Sequence, residues 1–454
     1  GGFTADIRGQ VEDTVAFLIR DDRPVSARAG FATASDESKA MSDAAVRATA
    51  AFSFISSELA GRAPPVASLG PAPGGVYIAA VARVPIEDLH MPGAKPGHTE
   101  RLLPDPALLT RPGVAQAEGL AEGFAAGAPS QQTIATVRAA VTPEALRGHV
   151  ARISGVDPLV EGESLKVRSR DASTGDNGLV VDALARRFLD LGLAVRRHEF
   201  SWRGHRLFNL EAEHRVAGSD SAVLVTAHLD STAAAGNYVD ASGQPRLYDP
   251  AVDPAPGADD DGSGTAAVMT AAECLSALIA QGRAPTRNVR FVLFNAEEQG
   301  LVGSKFYARA AAAARDRIAG VFQMDMIAGL QSGSTPTVEI HAGSGVPGPV
   351  VGASNALSGL VAQTIPAIAP DFAIQQLTGA DDPAVGRSDH ASFHERGWAA
   401  VAVSENLFPD GTPGTGTRQY HTPGDTLLDQ DHSTEFAAAI ARSVTATALT
   451  LAGL

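Results

Sequence analysis

From about Thr142 onward, short apolar runs alternate with longer stretches in which apolar residues recur at helical spacing. Thr142-Pro143-Glu144-Ala145 places an N-capping residue before a Pro at the first helical position, and 178–191 is an amphipathic stretch stopped by Gly192. Ala222-Val223-Leu224-Val225-Thr226 is apolar enough for a strand buried on both faces. The pattern then predicts a helix over 265–279, a strand over 289–294 and a helix over 304–314. Strands over 321–324, 338–341 and 399–403 and a closing helix over 433–451 follow. Such alternation means an α/β fold: a mostly parallel twisted sheet with helices on both faces.

Residues 1–140 have another texture, rich in Ala, Gly and Pro, with turn clusters at Pro64-Pro65, 71–75 and 92–97. A helix-like stretch (44–59) and a strand-like one (76–84) predict a smaller N-terminal α+β region. The chain is therefore expected to divide into an accessory or pro-segment-like domain, 1–140, and a second domain, 141–454. His90 and His98, in a Pro/Gly loop, read as solvated side chains.

Composition removes several functions. With 44% hydrophobic and 19% charged residues the chain can build a packed core. Its net charge of −15 disfavours nucleic acid or an anionic membrane as partner. No apolar run approaches the roughly 20 residues of a membrane-spanning helix. Cys274 is the single cysteine, so internal disulfides and thiolate metal sites are excluded, and its apolar neighbours suit a buried helix position. The start, Gly1-Gly2-Phe3 without Met or a basic-then-apolar leader, suggests a trimmed or processed chain.

Chemistry gathers just past the strand ends, where open α/β sheets bind their ligands. The first strand runs into His228-Leu229-Asp230, the next into Glu297-Glu298, and the third into Asp325. Between the first two lies Asp259-Asp260-Asp261-Gly262-Ser263-Gly264, which read alone is a calcium loop or a solvated turn with good capping residues. Beside the other acids it offers a carboxylate able to bridge two cations. Glu297 and Glu298 would repel in a dry cleft unless a cation holds one of them. A second imidazole comes from Gln419-Tyr420-His421-Thr422. Mixed His and carboxylate donors without Cys suit zinc in a catalytic site. His228, Asp260, Glu298, Asp325 and His421 suffice for two ions if one carboxylate bridges.

These residues resemble those of the co-catalytic two-zinc exopeptidases, a family that includes bacterial leucyl-type aminopeptidases, glutamate carboxypeptidases and single-zinc glutaminyl cyclases. The likeness covers residues 142–454 and leaves the first 140 out. It implies that His228, Glu298, Asp325 and His421 are metal ligands and Asp260 the bridge. Asp261 follows at a position where the family often has a strained peptide bond. By the same likeness Asp230 orients His228 from behind, Glu297 is the general base and Tyr420 stabilises the oxyanion. Gly386-Arg387-Ser388-Asp389-His390 resembles a segment near the substrate, with Arg387 as a substrate-binding candidate. The stretch from His228 to Asp260 is longer than in compact members and is expected to form a rim narrowing the entrance.

The resemblance implies a secreted or periplasmic aminopeptidase with two Zn2+, acting on peptides with a free terminus. A carboxypeptidase or dipeptidase is the alternative on the same site, with Arg387 meeting a substrate carboxylate. Glutaminyl cyclase and a non-catalytic binding module are alternatives of other kinds.

Overall fold

The computed structural model describes residues 14–20, 48–57, 67–72, 75–81, 99–102, 127–346, 348–379, 382–408 and 414–454. His90, His98 and the turn clusters at 64–65 and 92–97 lie outside them. The chain forms two compact units. The first comprises Gly1–Pro104 with two excursions from later sequence, Ser201–His205 and Asn237–Leu247. Its strands β1 (Thr14–Arg20), β2 (Ala67–Ala72), β3 (Gly75–Val81) and β4 (Thr99–Leu102) form an antiparallel sheet in the order β2-β3-β1-β4. Helix α1 (Ala48–Ser57) buries Ala51 and Ile55, and β3 buries Val76 and Ile78. The expected helix thus occurs within 44–59, and the expected strand overlaps 76–84 but begins one residue earlier, at Gly75.

In the second unit, apart from the Ser201–His205 tip shared by β5 and β6, stand in chain order α2 (Gln131–Ala140), α3 (Pro143–Ile153), α4 (Gly175–Asp190), β5 (Ala194–Trp202), β6 (His205–His214) and β7 (Ser221–His228). The short strands β8 (Tyr238–Val239) and β9 (Pro245–Arg246) form a ribbon in the excursion that belongs to the first unit. There follow α5 (Gly262–Ala280), β10 (Asn288–Phe294), α6 (Val302–Ala313), β11 (Arg317–Met324), β12 (Thr337–His341), α7 (Pro349–Ile368), β13 (Ala373–Leu377), α8 (His390–His394), β14 (Ala400–Ser404) and α9 (Thr434–Leu451).

The eight-stranded sheet has the order β13-β12-β14-β11-β7-β10-β6-β5. Its centre, β14-β11-β7-β10, is parallel; β12 and β6 run antiparallel to their neighbours β14 and β10. Side chains alternate across β7. Val223 and Val225 join the core with α4, α5, α7 and α9, whereas Ala222 and Leu224 pack with Tyr307 of α6, Phe393 of α8 and Trp398. Helices therefore cover both faces, as the continuous apolar runs required.

Helix α5 is 19 residues long and apolar enough to match a membrane span by length and composition. That corrects the expectation that no stretch would do so. Its face-to-face burial against β7, β10 and β11 and against helices α2, α3 and α9 accounts for the same apolarity.

The expected boundary at 140/141 also moves. Helix α2, on its N-terminal side, belongs to the second unit and packs on α5 and α9. Arg283 Nη2 donates to Thr133 Oγ1 at 3.0 Å, and Arg138 Nη2 donates to the carbonyls of Ala367 and Ile368 at 2.8 and 3.2 Å. A change in Pro and Gly content marks where turns cease, not where apolar surface is buried.

Candidate functional site

Three parallel neighbours, β7, β10 and β11, deliver the site to one edge of the sheet. His228 closes β7 and pairs in register with Phe294, the last residue of β10, while Met324 closes β11 immediately before Asp325. The fourth component is the turn into α5. Gly264 lets that turn lie close, because a Cβ there would meet the Asp261 carboxylate and, at 2.5 Å, the carbonyl of Met324. Asp261 is the N-cap of α5; its carboxylate accepts the amides of Gly264 (2.8 Å), His228 (3.0 Å) and Met326 (3.4 Å). The peptide joining Asp260 to Asp261 is cis.

Asp260 stands between two imidazoles. Its Oδ1 lies 3.1 Å from His228 Nε2 and its Oδ2 3.2 Å from His421 Nε2. On one side Asp325 Oδ1 is 3.6 Å from His228 Nε2; on the other Glu298 Oε2 is 2.9 Å from His421 Nε2. The five expected ligand residues thus meet around one shared carboxylate. Tyr420 stacks on His421, with ring centroids 3.7 Å apart, and Arg387 Nη2 donates to Tyr420 Oη at 3.3 Å. Ser388 Oγ donates to Asp325 Oδ2 at 2.7 Å.

Asp230 takes a somewhat different place from the one expected. Its Oδ1 is 3.6 Å from His228 Nδ1, a charge contact rather than a hydrogen bond. Its two oxygens instead accept the amides of Glu297 and Glu298, at 3.1 and 3.2 Å, and so fix the turn that carries both glutamates. Ala296, Met326 and His421 all have left-handed backbone, with φ of 57°, 53° and 53°. Non-glycine residues take that conformation only where their surroundings enforce it, and here each lies within the loops that hold the acids and imidazoles.

Electrostatics in the cluster are those of crowded, buried acids. Burial pushes Glu297 well above the usual carboxylate range, with Asp389, Asp325 and Glu298 adding to the shift against the pull of His228. Burial and Asp260 together carry Glu298 to about 7. Asp260 goes the other way: burial would raise it, but the two imidazoles outweigh that and hold it low. For His228, burial is outweighed by Glu297, Asp230, Asp260 and Asp325, and its pKa rises.

The donors fit a metal cation. Asp260 Oδ2 and Glu298 Oε1 are buried oxygens without a hydrogen-bond partner. Ligand atoms of His228, Asp260 and Glu298 lie within 4.8 Å of one another, as do those of His228, Asp261 and Asp325. Asp261 is better read as scaffold, since its oxygens are occupied by three backbone amides. A bound cation would offset the repulsion among these acids without adding protons.

Two supporting groups carried no local signal in the sequence. Asp425 accepts the amides of Asp259 (2.8 Å) and Asp260 (3.0 Å), fixing the bridging carboxylate from a loop about 165 positions away. Arg170 is fully buried and donates to the carbonyls of Leu229 (2.8 Å), Ile153 (3.2 Å), Pro256 (2.6 Å) and Gly257 (2.8 Å). It ties the exit of β7 to the approach to Asp260. Both residues act on chain segments remote in sequence, so only the fold reveals them.

Residues 209–445 match the model of peptidase family M28, more than half of the 454-residue chain. The chain belongs to peptidase family M28. Among its relatives is leucine aminopeptidase 1 of Coccidioides posadasii, 31% identical over 254 residues, which are 54% of this chain and 55% of that protein. The chain spans about half the length of the curated relatives it matches. Two solved structures share the M28 fold. The LapA aminopeptidase of Legionella pneumophila is 17% identical with a TM-score of 0.61, covering 87% of this chain and 96% of that one. A Zn-dependent exopeptidase of Parabacteroides distasonis is 18% identical with a TM-score of 0.51, covering 68% and 98%. All five expected ligand residues lie inside the matched region.

Proposed function

We propose that this M28 chain is a zinc aminopeptidase that removes the N-terminal residue of peptides. The observation that carries the reading is Asp260, whose two oxygens address two different histidines, each paired with its own acid. Two zinc ions would be held by His228 and Asp325 on one side and by Glu298 and His421 on the other, with Asp260 shared between them. When bound, zinc supplies Lewis-acid polarisation of the scissile carbonyl. Glu297, held beside the cluster by Asp230, takes the proton of the attacking water and returns it to the leaving amine. Tyr420, oriented by Arg387 and by its stack on His421, offers its phenol to the developing oxyanion. The acidic rim suits a protonated α-amine, and the relatives named leucine aminopeptidase support that choice of terminus.

A carboxypeptidase or dipeptidase is the second reading, favoured by Arg387, whose guanidinium sits beside Tyr420 where it can meet a substrate carboxylate. Turnover of aminoacyl anilides against N-blocked dipeptides separates the two when metal content is measured on the same sample. Cleavage of the anilides by protein holding about two zinc ions supports the aminopeptidase; cleavage of blocked peptides alone defeats it. Glu297→Gln should lower turnover by about 10²–10⁴-fold with metal content unchanged, because only the proton-transfer group is lost.

A further inference from the structure

A second buried polar group lies outside the metal-fitting cluster: His341, Glu339, Asp382 and Ser404, each at most 1% exposed. His341, the last residue of β12, has its Nδ1 2.7 Å from Asp382 Oδ1 and its Nε2 3.1 Å from Ser404 Oγ and 3.3 Å from Glu339 Oε2. Burying an imidazole between two carboxylates costs desolvation that apolar residues of similar volume would avoid. Such a group needs a reason beyond filling the core.

Asp382 shows where it acts. Besides His341, its Oδ1 accepts the amide of Ala384 at 2.9 Å and its Oδ2 the amide of Gly343 at 2.8 Å. Gly343 leaves no room for a side chain, since a Cβ would run into the Asp382 side chain and lie 2.5 Å from the Gly379 carbonyl. The carboxylate thereby pins the chain leaving β12 to the turn at 382–384. Arg387 N then donates to Ala384 O at 3.0 Å, and the Arg387 guanidinium reaches Tyr420 Oη. That guanidinium also lies 5.7 Å from the ring centre of Phe408, whose ring packs nearly perpendicular to that of His341 with centroids 5.0 Å apart. His341 therefore supports the segment twice, through Asp382 at its start and through Phe408 beneath its guanidinium.

We propose that the His341–Asp382 pair positions Arg387 so that its guanidinium meets the Tyr420 phenol. The two are positioning residues for hydrolysis, acting on substrate through Arg387. The proposal rests on the reading of Tyr420 and Arg387 given above.

A double-variant cycle on the full chain, with aminoacyl anilides as substrates, tests it. His341→Leu removes the donor to Asp382, whereas His341→Asn keeps an N–H near the Nδ1 position. The Leu variant should lower kcat/KM by about 10²-fold, the order of loss that a displacement of about 1 Å causes. The Asn variant should recover most of it. In an Arg387→Ala background His341→Leu should cost little more, because its target is gone. Equal losses in both backgrounds would overturn the proposal. If melting curves show that the Leu variant does not fold, Asp382→Asn enters the same cycle with the same two outcomes. A crystal structure of the variant provides a readout without turnover. Arg387 Nη2 must move out of hydrogen-bonding distance of Tyr420 Oη; if it stays, the proposal falls. A wild type that cleaves no free-amine peptide defeats the aminopeptidase reading alone, since the crystal structure still decides the positioning.

Discussion

Asp425 holds the bridging carboxylate by accepting two consecutive amides, those of Asp259 and Asp260. Replacing it by Ala leaves both buried donors without that acceptor and frees the loop, so metal affinity should fall by about 10–100-fold, the usual cost of losing a group that orients a ligand. Titration of the metal-free variant with zinc measures this; unchanged affinity would show that the loop is rigid without Asp425. His341 makes a prediction about pH. Burial alone would lower its pKa, but Asp382 and Glu339 outweigh that and raise it from 6.5 to about 9. A folded-state pKa raised in this way stabilises fully below the unfolded value near 6.5, and the contribution is lost as pH rises through about 9. Melting temperature should therefore fall more steeply between pH 7 and 10 in the wild type than in His341→Asn. Parallel curves would assign the alkaline loss to other groups.

At the scale of elements, the sheet edge works because helices approach it closely. Gly264 in the first turn of α5 is the point of contact with the end of β11, and Gly264→Ala should destabilise by about 1–3 kcal/mol, as overpacking does. Gly352 on the exposed side of α7 has nothing within 4 Å of a built Cβ, and Gly352→Ala should stabilise by about 0.5–1 kcal/mol. Urea unfolding of the two variants checks the opposite signs. The same contrast explains which elements the sequence revealed. Strands β7, β10, β11 and β14 are short apolar runs because both faces are covered, and all were legible. The hairpin strands β5 and β6 were not, because β5 is an edge strand with mostly exposed positions and no clean alternation. Helix α7 also escaped, since Gly352, Gly359 and Pro366 interrupt its helical signal and its apolar residues are distributed without a clear polar face. Tertiary packing on α9, β13 and β14 overrides those residues.

For the whole molecule, the proposed metal site would link folding to metal binding, because a cation held by the acids at the sheet edge stabilises only the folded chain. Chelation should lower the melting temperature, and added zinc should restore it by an amount that grows with free metal, about 2.7 kcal/mol at one hundred times Kd. A melting temperature insensitive to both would separate the cluster from metal altogether. The second unit also includes more chain than its composition suggested. Helix α2 closes its core against α5 and α9, while Asn237–Leu247, inserted between His228 and Asp260, belongs to the other unit. The insertion was legible as extra length, but its membership was not, because no local pattern records which surface a loop joins.

By itself the sequence determined the α/β class and pointed to His228, Asp260, Glu298, Asp325 and His421, with their neighbour Glu297, as candidates to be brought together. Strand periodicity and the placement of chemistry at strand ends are local properties, written within a few residues of His228, Glu298 and Asp325. Only the tertiary structure decided which oxygen faces which imidazole, that Asp230 and Asp425 secure backbone amides, that Arg387 meets Tyr420, and that His341 pairs with Asp382. Those relations join segments tens to hundreds of residues apart, and their directions depend on how helices and strands pack, which no short stretch of sequence encodes.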